Sequence, residues 1–176
     1  LRGVRCEPGQ VVITAGAQQA FALTAFTLLD PGGTAWCEDP GHIAGREVLR
    51  LLGADVRSLP IDAEGLDAVT ARDRLPPAQL IFTTPSHQHP LGVTLSVPRR
   101  LELLEYAAET GAWIVEDDYD NEFRYEGRPL PALQSLDRAG RVVYVGSFSK
   151  TLAPALRIGY LICPPDLTAP LAAAQT

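Results

Sequence analysis

Lys150 is the only lysine of this 176-residue chain; all the other residues among its fifteen Lys and Arg are arginines. A guanidinium stays protonated at any useful pH and cannot attack a carbonyl, whereas an amine can once burial or a nearby cation lowers its pKa. The chemistry that demands lysine is therefore imine formation. Ser147 and Ser149 flank Lys150 at the end of the apolar run VVYVGSFS, and Arg157 follows seven residues later, beyond Pro154. Two hydroxyls and a planar guanidinium suit a phosphate. A second anion site is expected where Thr14-Ala15-Gly16 ends an apolar run and Ala17 begins a periodic helix. There the backbone N–H groups of Gly16, Ala17 and Gln18 point outward at a helix N-terminus. The stretch IVEDDYD adds a third group: Asp117 and Tyr119, two residues apart, share one face of an extended chain, while Asp118 takes the other.

Two nucleotide-binding patterns are absent. No G-x-G-x-x-G occurs, and SFSKT fails the P-loop pattern because Ser149 precedes the lysine and no glycine lies five residues ahead of it, which excludes a nucleoside triphosphatase. His87 and His89 form a two-histidine pair with no third ligand at suitable spacing, so no metal site is expected.

These groups sit at the ends of elements that must position them. Short β-branched runs predict strands over Val11–Thr14, Thr34–Glu38, Asp55–Leu59, Leu80–Thr84, Ala112–Glu116, Val142–Ser147 and Gly159–Cys163. Longer amphipathic stretches predict helices over Ala17–Leu29, Ile43–Leu52, Gly65–Arg74 and Pro98–Thr110, the last closed by Gly111. Alternating strands and helices imply an α/β fold, a three-layer α/β/α sandwich around a mostly parallel seven-stranded sheet. Open sheets of this kind bind ligands at the carboxyl ends of their strands, where the polar residues fall.

Composition sets outer limits. With 46% hydrophobic residues the chain can bury one sizeable core, and one domain is expected. The net charge of −6 argues against broad capture of nucleic acid by this segment. No apolar run reaches the ~18 residues of a membrane span, and a soluble, cytoplasmic protein without membrane association is expected. Cys6, Cys37 and Cys163 are too scattered for a disulfide framework or zinc site and are expected to be buried or half-buried thiols. The start LRGVRCEPGQVVIT reads as the approach to a strand and the end DLTAPLAAAQT as a helix beginning, so a longer protein is expected.

Taken in order, GAQQA, EDPGH, TTPSHQHPLG, VEDDYDNEFRY and GSFSKTLAPALRIGY resemble the large domain of fold-type I pyridoxal-phosphate aminotransferases, and more narrowly the aminotransferase-like domain of MocR-type regulators of the GntR superfamily. The resemblance covers nearly the whole chain. It implies pyridoxal 5′-phosphate as cofactor, a Schiff base at Lys150, and Asp117 as partner of the ring nitrogen, with Asp118 the alternative. A metal cluster or a solvated turn is the competing reading of DDYD. Tyr119 is implied to meet the cofactor's phenolic oxygen. Ser147, Ser149 and Arg157, with the backbone of Gly16 and Ala17 and the side chain of Gln18, are implied to hold the phosphate.

His42 stands where the family commonly has an aromatic over the ring, and it can also be read as an ordinary histidine at the start of a helix. His89 takes a place held by asparagine in many aminotransferases and by an aromatic in many of the regulators. The family also implies a homodimer, a winged-helix DNA-binding domain upstream, and a smaller C-terminal domain carrying the arginine that grips a substrate carboxylate. No residue here is assignable to that arginine, so full transamination by this segment alone is not expected. The expected function is effector sensing, with a small-molecule amine or amino acid as partner and DNA bound only through a domain outside this chain. The alternatives are a stand-alone aminotransferase and a binding module without cofactor.

Overall fold

The structure, a computed structural model, describes residues 2–119, 130–150 and 152–175. Its centre is one sheet of eight strands: β1 (Val11–Thr14), β2 (Thr34–Asp39), β3 (Asp55–Asp62), β4 (Gly65–Leu66), β5 (Leu80–Thr83), β6 (Trp113–Asp117), β7 (Val142–Ser147) and β8 (Gly159–Ile162). Their order across the sheet is β1-β8-β7-β6-β5-β2-β3-β4. The five central strands, β7, β6, β5, β2 and β3, pair in parallel, while β8 lies antiparallel to both β7 and β1, and β4 antiparallel to β3.

The helices are α1 (Ala17–Leu28), α2 (Ile43–Leu51), α3 (Ala68–Arg74), α4 (Val97–Thr110), α5 (Leu133–Leu136) and α6 (Thr168–Ala174). Two apolar layers separate them from the sheet. One gathers Phe21 and Leu28 of α1, Leu49 of α2 and Leu171 of α6 against Val115, Val143, Val145 and Leu161. The other gathers Ala71 of α3, Leu103 and Tyr106 of α4 and Leu133 of α5 against Trp36, Ile81, Ile114 and Val142. At ~25 cal/mol per Å² of apolar surface removed from water, these layers supply the main drive for folding. Among the described residues no helix is long and apolar enough to cross a membrane.

The three-layer α/β/α architecture matches the expectation, with one strand more than the seven expected. The additional strand, β4, lies inside the stretch predicted as the start of a helix. Asp62 accepts the Glu64 N–H at 2.8 Å in a tight turn that folds Gly65–Leu66 back along β3. Helix α3 begins only at Ala68, after Asp67 caps it by accepting from the Thr70 N–H at 2.9 Å. Helix α4 starts at Val97, capped by Ser96 with Pro98 in its first turn, and stops at Gly111 in the left-handed region, φ 78°. The cysteines depart from expectation in part: Cys37 and Cys163 are buried, but Cys6 is exposed. Burial pushes the Cys37 thiol up to about 12, which leaves it inert at neutral pH.

Candidate functional site

Alternation along β6 sorts its carboxylates. Ile114 faces the α3–α5 layer and Val115 the α1–α2 layer, so Glu116 and Asp118 follow Ile114 while Asp117 and Tyr119 follow Val115. On the first side, Glu116 is fully buried and accepts the N–H groups of Leu133 and Gln134, both at 2.9 Å. Burial outweighs those bonds and pushes its carboxyl up to about 7. Asp118, 2% exposed, accepts from Arg2 Nε at 3.0 Å and from the Tyr144 hydroxyl at 2.8 Å. Arg2 also donates to the Leu130 carbonyl at 2.5 Å and to Ser86 Oγ. Asp118 is thus committed to holding the back of the sheet together.

On the other side, at the carboxyl ends of β6 and β7, lies a cleft of about 590 Å³. Ten of the eleven residues singled out from the sequence border it: Ala17, Gln18, His42, His89, Asp117, Tyr119, Ser147, Ser149, Lys150 and Arg157, joined by Phe21 and Ala44. Gly16, the eleventh, forms the turn before α1. Its φ of +89° requires glycine, and a Cβ there would lie 3.4 Å from Arg157 Nη2, so the turn and the guanidinium are adjacent. Arg157 is itself held at φ 50°, the only non-glycine residue with positive φ among those described. Across the cleft floor, Lys150 Nζ lies 4.3 Å from the centre of the Tyr119 ring, a cation–π contact. Ser147 Oγ accepts the Ser149 N–H at 3.2 Å, which shapes the turn before the lysine.

Two side chains have additional duties. Gln18 donates its amide to the Ala44 carbonyl at 3.1 Å and so ties α1 to α2. His42 caps α2, its Nδ1 accepting the Gly45 N–H at 3.1 Å, as its reading as a helix-start histidine expects, and it also lines the cleft. Burial, with His89 beside it, lowers the His42 pKa, and the accepting Nδ1 leaves the proton of the neutral ring on Nε2. His42 and His89 meet edge to face at 6.1 Å, and His89 meets Tyr119 likewise at 6.3 Å.

Phe21 and Ala44 carried no sequence signal beyond lying one helical turn or less from the cleft-lining residues Ala17 and His42. Of the motif VEDDYDNEFRY, residues 120–125 lie outside the described residues. Among the described residues no group of three His, Cys, Asp or Glu is placed to hold a metal ion.

The cleft therefore brings together two hydroxyls and a guanidinium (Ser147, Ser149 and Arg157), a primary amine, Lys150, and an acid, Asp117, that is only 4% exposed, with the Gly16 turn adjacent to Arg157. The family model for aminotransferases of class I and II matches residues 2–176. The chain belongs to the aminotransferase class I and II family. This membership implies pyridoxal phosphate as cofactor.

Within the family, the chain is 46% identical over 166 residues to the probable rhizopine catabolism regulatory protein MocR of Rhizobium meliloti, covering 94% of this chain and 33% of that protein. It is likewise 46% identical over 169 residues to the HTH-type transcriptional regulator TauR of Rhodobacter capsulatus, covering 96% and 34%. The chain thus spans about a third of the length of these regulators. Among solved structures it is similar to the α-aminoadipate aminotransferase LysN of Thermus thermophilus, complexed with N-(5′-phosphopyridoxyl)-L-leucine. That likeness has a TM-score of 0.88 and 33% identity over 96% of this chain and 45% of that one.

Proposed function

We propose that this chain is the pyridoxal-phosphate-binding, aminotransferase-like large domain of a MocR-type transcriptional regulator that senses a small-molecule amine or amino acid. The observation that carries this reading is that Lys150, Asp117 and Arg157 border one cleft, with the Gly16 turn against the Arg157 guanidinium. The donor set suits the cofactor's two ends. Ser147, Ser149 and Arg157, with the N–H groups opening α1, would hold the phosphate, and Asp117 would pair with the protonated ring nitrogen. Each charge-assisted bond contributes about 1.5–3 kcal/mol. When bound, pyridoxal phosphate supplies an aldehyde that condenses with amines and a ring that withdraws electron density from them. Lys150 would hold that aldehyde and would be the group an effector amine replaces, and Tyr119, whose ring centre lies 4.3 Å from Lys150 Nζ, would hold the lysine ammonium while it is free. Exchange of amines shifts a conformational equilibrium of the whole protein.

DNA contact belongs to a domain outside this chain, in keeping with its net charge of −6. The intact protein is a cytoplasmic homodimer. The higher identity to the regulators MocR and TauR, 46% each, than to the aromatic-amino-acid aminotransferase 1 of Thermococcus litoralis, 33%, supports sensing over a stand-alone transaminase.

An absorbance spectrum with borohydride trapping tests the reading. The wild-type protein turns yellow with pyridoxal phosphate, and reduction leaves the pyridoxyl mass on the peptide containing Lys150. Lys150→Ala gives no trapped adduct. A wild-type protein that stays colourless, or that is labelled at another residue, refutes the assignment.

A further inference from the structure

Behind the cleft lies a buried carboxylate with no part in the scheme above. Glu38, at the end of β2, is 3% exposed. Its Oε1 accepts from the Thr83 hydroxyl at 2.5 Å and the Thr84 N–H at 3.1 Å; its Oε2 accepts from the Thr84 hydroxyl at 2.6 Å and the Gln88 amide at 3.1 Å. The Arg46 guanidinium goes instead to the Glu38 main-chain carbonyl, at 2.7 Å, and to the Asp39 carboxylate, at 3.3 Å. Burying a carboxylate on neutral donors alone is costly, and an apolar side chain would fill the same space more cheaply.

Two of the four bonds lead to one residue. Thr84 Oγ1, while donating to Glu38, accepts the His89 N–H at 3.3 Å. Gln88 Nε2, shared with Glu38 and with the Pro40 carbonyl at 2.8 Å, donates to the His89 carbonyl at 2.8 Å. The main chain of His89 is thereby gripped on both sides, and its ring is presented to the cleft beside His42 and Tyr119. We infer that Glu38 is a positioning residue: through Thr84 and Gln88 it sets the place of the His89 ring at the cofactor cleft.

Glu38→Gln preserves shape but turns one terminal oxygen into NH₂. Whichever oxygen is replaced, the new amide faces an N–H donor: the Thr84 main chain at the Oε1 site or the Gln88 amide at the Oε2 site. A hydroxyl could turn to accept; an N–H cannot. The test uses the cofactor-free, full-length protein with ¹³C-labelled histidine rings, the His89 signal being assigned with His89→Asn. In Glu38→Gln the His89 resonance is expected to shift more than that of any histidine outside the cleft. Thr84→Val, which removes the hydroxyl shared by Glu38 and His89, is expected to produce a similar shift, and the double variant little beyond either alone.

A Glu38→Gln protein that melts at a lower temperature while the His89 signal stays in place overturns the inference, and so do fully additive shifts. Should Glu38→Gln not fold, Thr84→Val with an unmoved His89 signal overturns it equally. The consequence for a bound cofactor rests on the function proposed above: pyridoxal phosphate should dissociate from Glu38→Gln roughly tenfold more readily, as for one weakened hydrogen bond to a charged group. If wild-type protein binds no pyridoxal phosphate, the functional reading falls, and the His89 measurement still decides the role of Glu38.

Discussion

Asp117 and Asp118 are adjacent, acidic and buried, yet strand alternation gives them unrelated work. Asp117→Asn removes charge from the cleft without changing shape, and about tenfold weaker cofactor binding with an unchanged melting temperature is expected. Asp118→Ala instead strands Arg2, 7% exposed, without its carboxylate; a stability loss of about 3 kcal/mol is expected. Chemical denaturation and cofactor titration of the two variants check both outcomes, and a reversed pattern would exchange the roles. From sequence alone the two aspartates could not be told apart, because the decisive partners, Arg2 and Tyr144, lie 116 and 26 residues away. Lys150, Ser147 and Ser149 stood out because they are polar residues at or just past the end of an apolar strand, and Arg157 because a guanidinium beside such hydroxyls suits an anion. Glu38 stood inside a motif already noted, EDPGH, but nothing local marks an acid whose donors come from residues 83 to 88.

Between elements, the turn from β1 into α1 is pressed against the start of β8. A Cβ on Gly159 would lie 2.8 Å from the Gly16 carbonyl carbon and 3.0 Å from Thr14 Oγ1, a clash with main chain that no rotamer relieves. Gly159→Ala is therefore expected to push the Gly16 turn off Arg157 and weaken phosphate-dependent cofactor binding. Equal binding of pyridoxal phosphate by variant and wild type would show that the turn tolerates the displacement. Element boundaries such as those of α4 followed from local signals, Pro98 in its first turn and Gly111 after it. The hairpin of β3 with β4 did not, since a two-residue strand leaves no period to detect and the cap at Asp67 acts only once Gly65 has turned the chain.

For the molecule as a whole, the buried Glu116 couples stability to pH. Its carboxyl titrates near 7 in the folded chain against an ordinary value of 4.5, so between these values the native state retains a proton that the unfolded chain has released. Its contribution is full below about 4.5 and is lost as pH rises to about 7. Melting temperatures across this window should fall with pH in wild-type protein relative to Glu116→Gln, and parallel curves would contradict the assignment.

The layered architecture was readable from the alternation of strand and helix. The antiparallel insertion of β8 between β7 and β1 was not, because pairing direction depends on contacts between distant residues. Arg2 illustrates what such contacts achieve. It grips Asp118, the Leu130 carbonyl and Ser86 at once, so the chain at residue 2 acts as a tether. Whatever shifts the backbone at Arg2 therefore strains a buried ionic bond to the residue that directly follows Asp117, so the outer edge of the fold and the candidate cleft share one anchor.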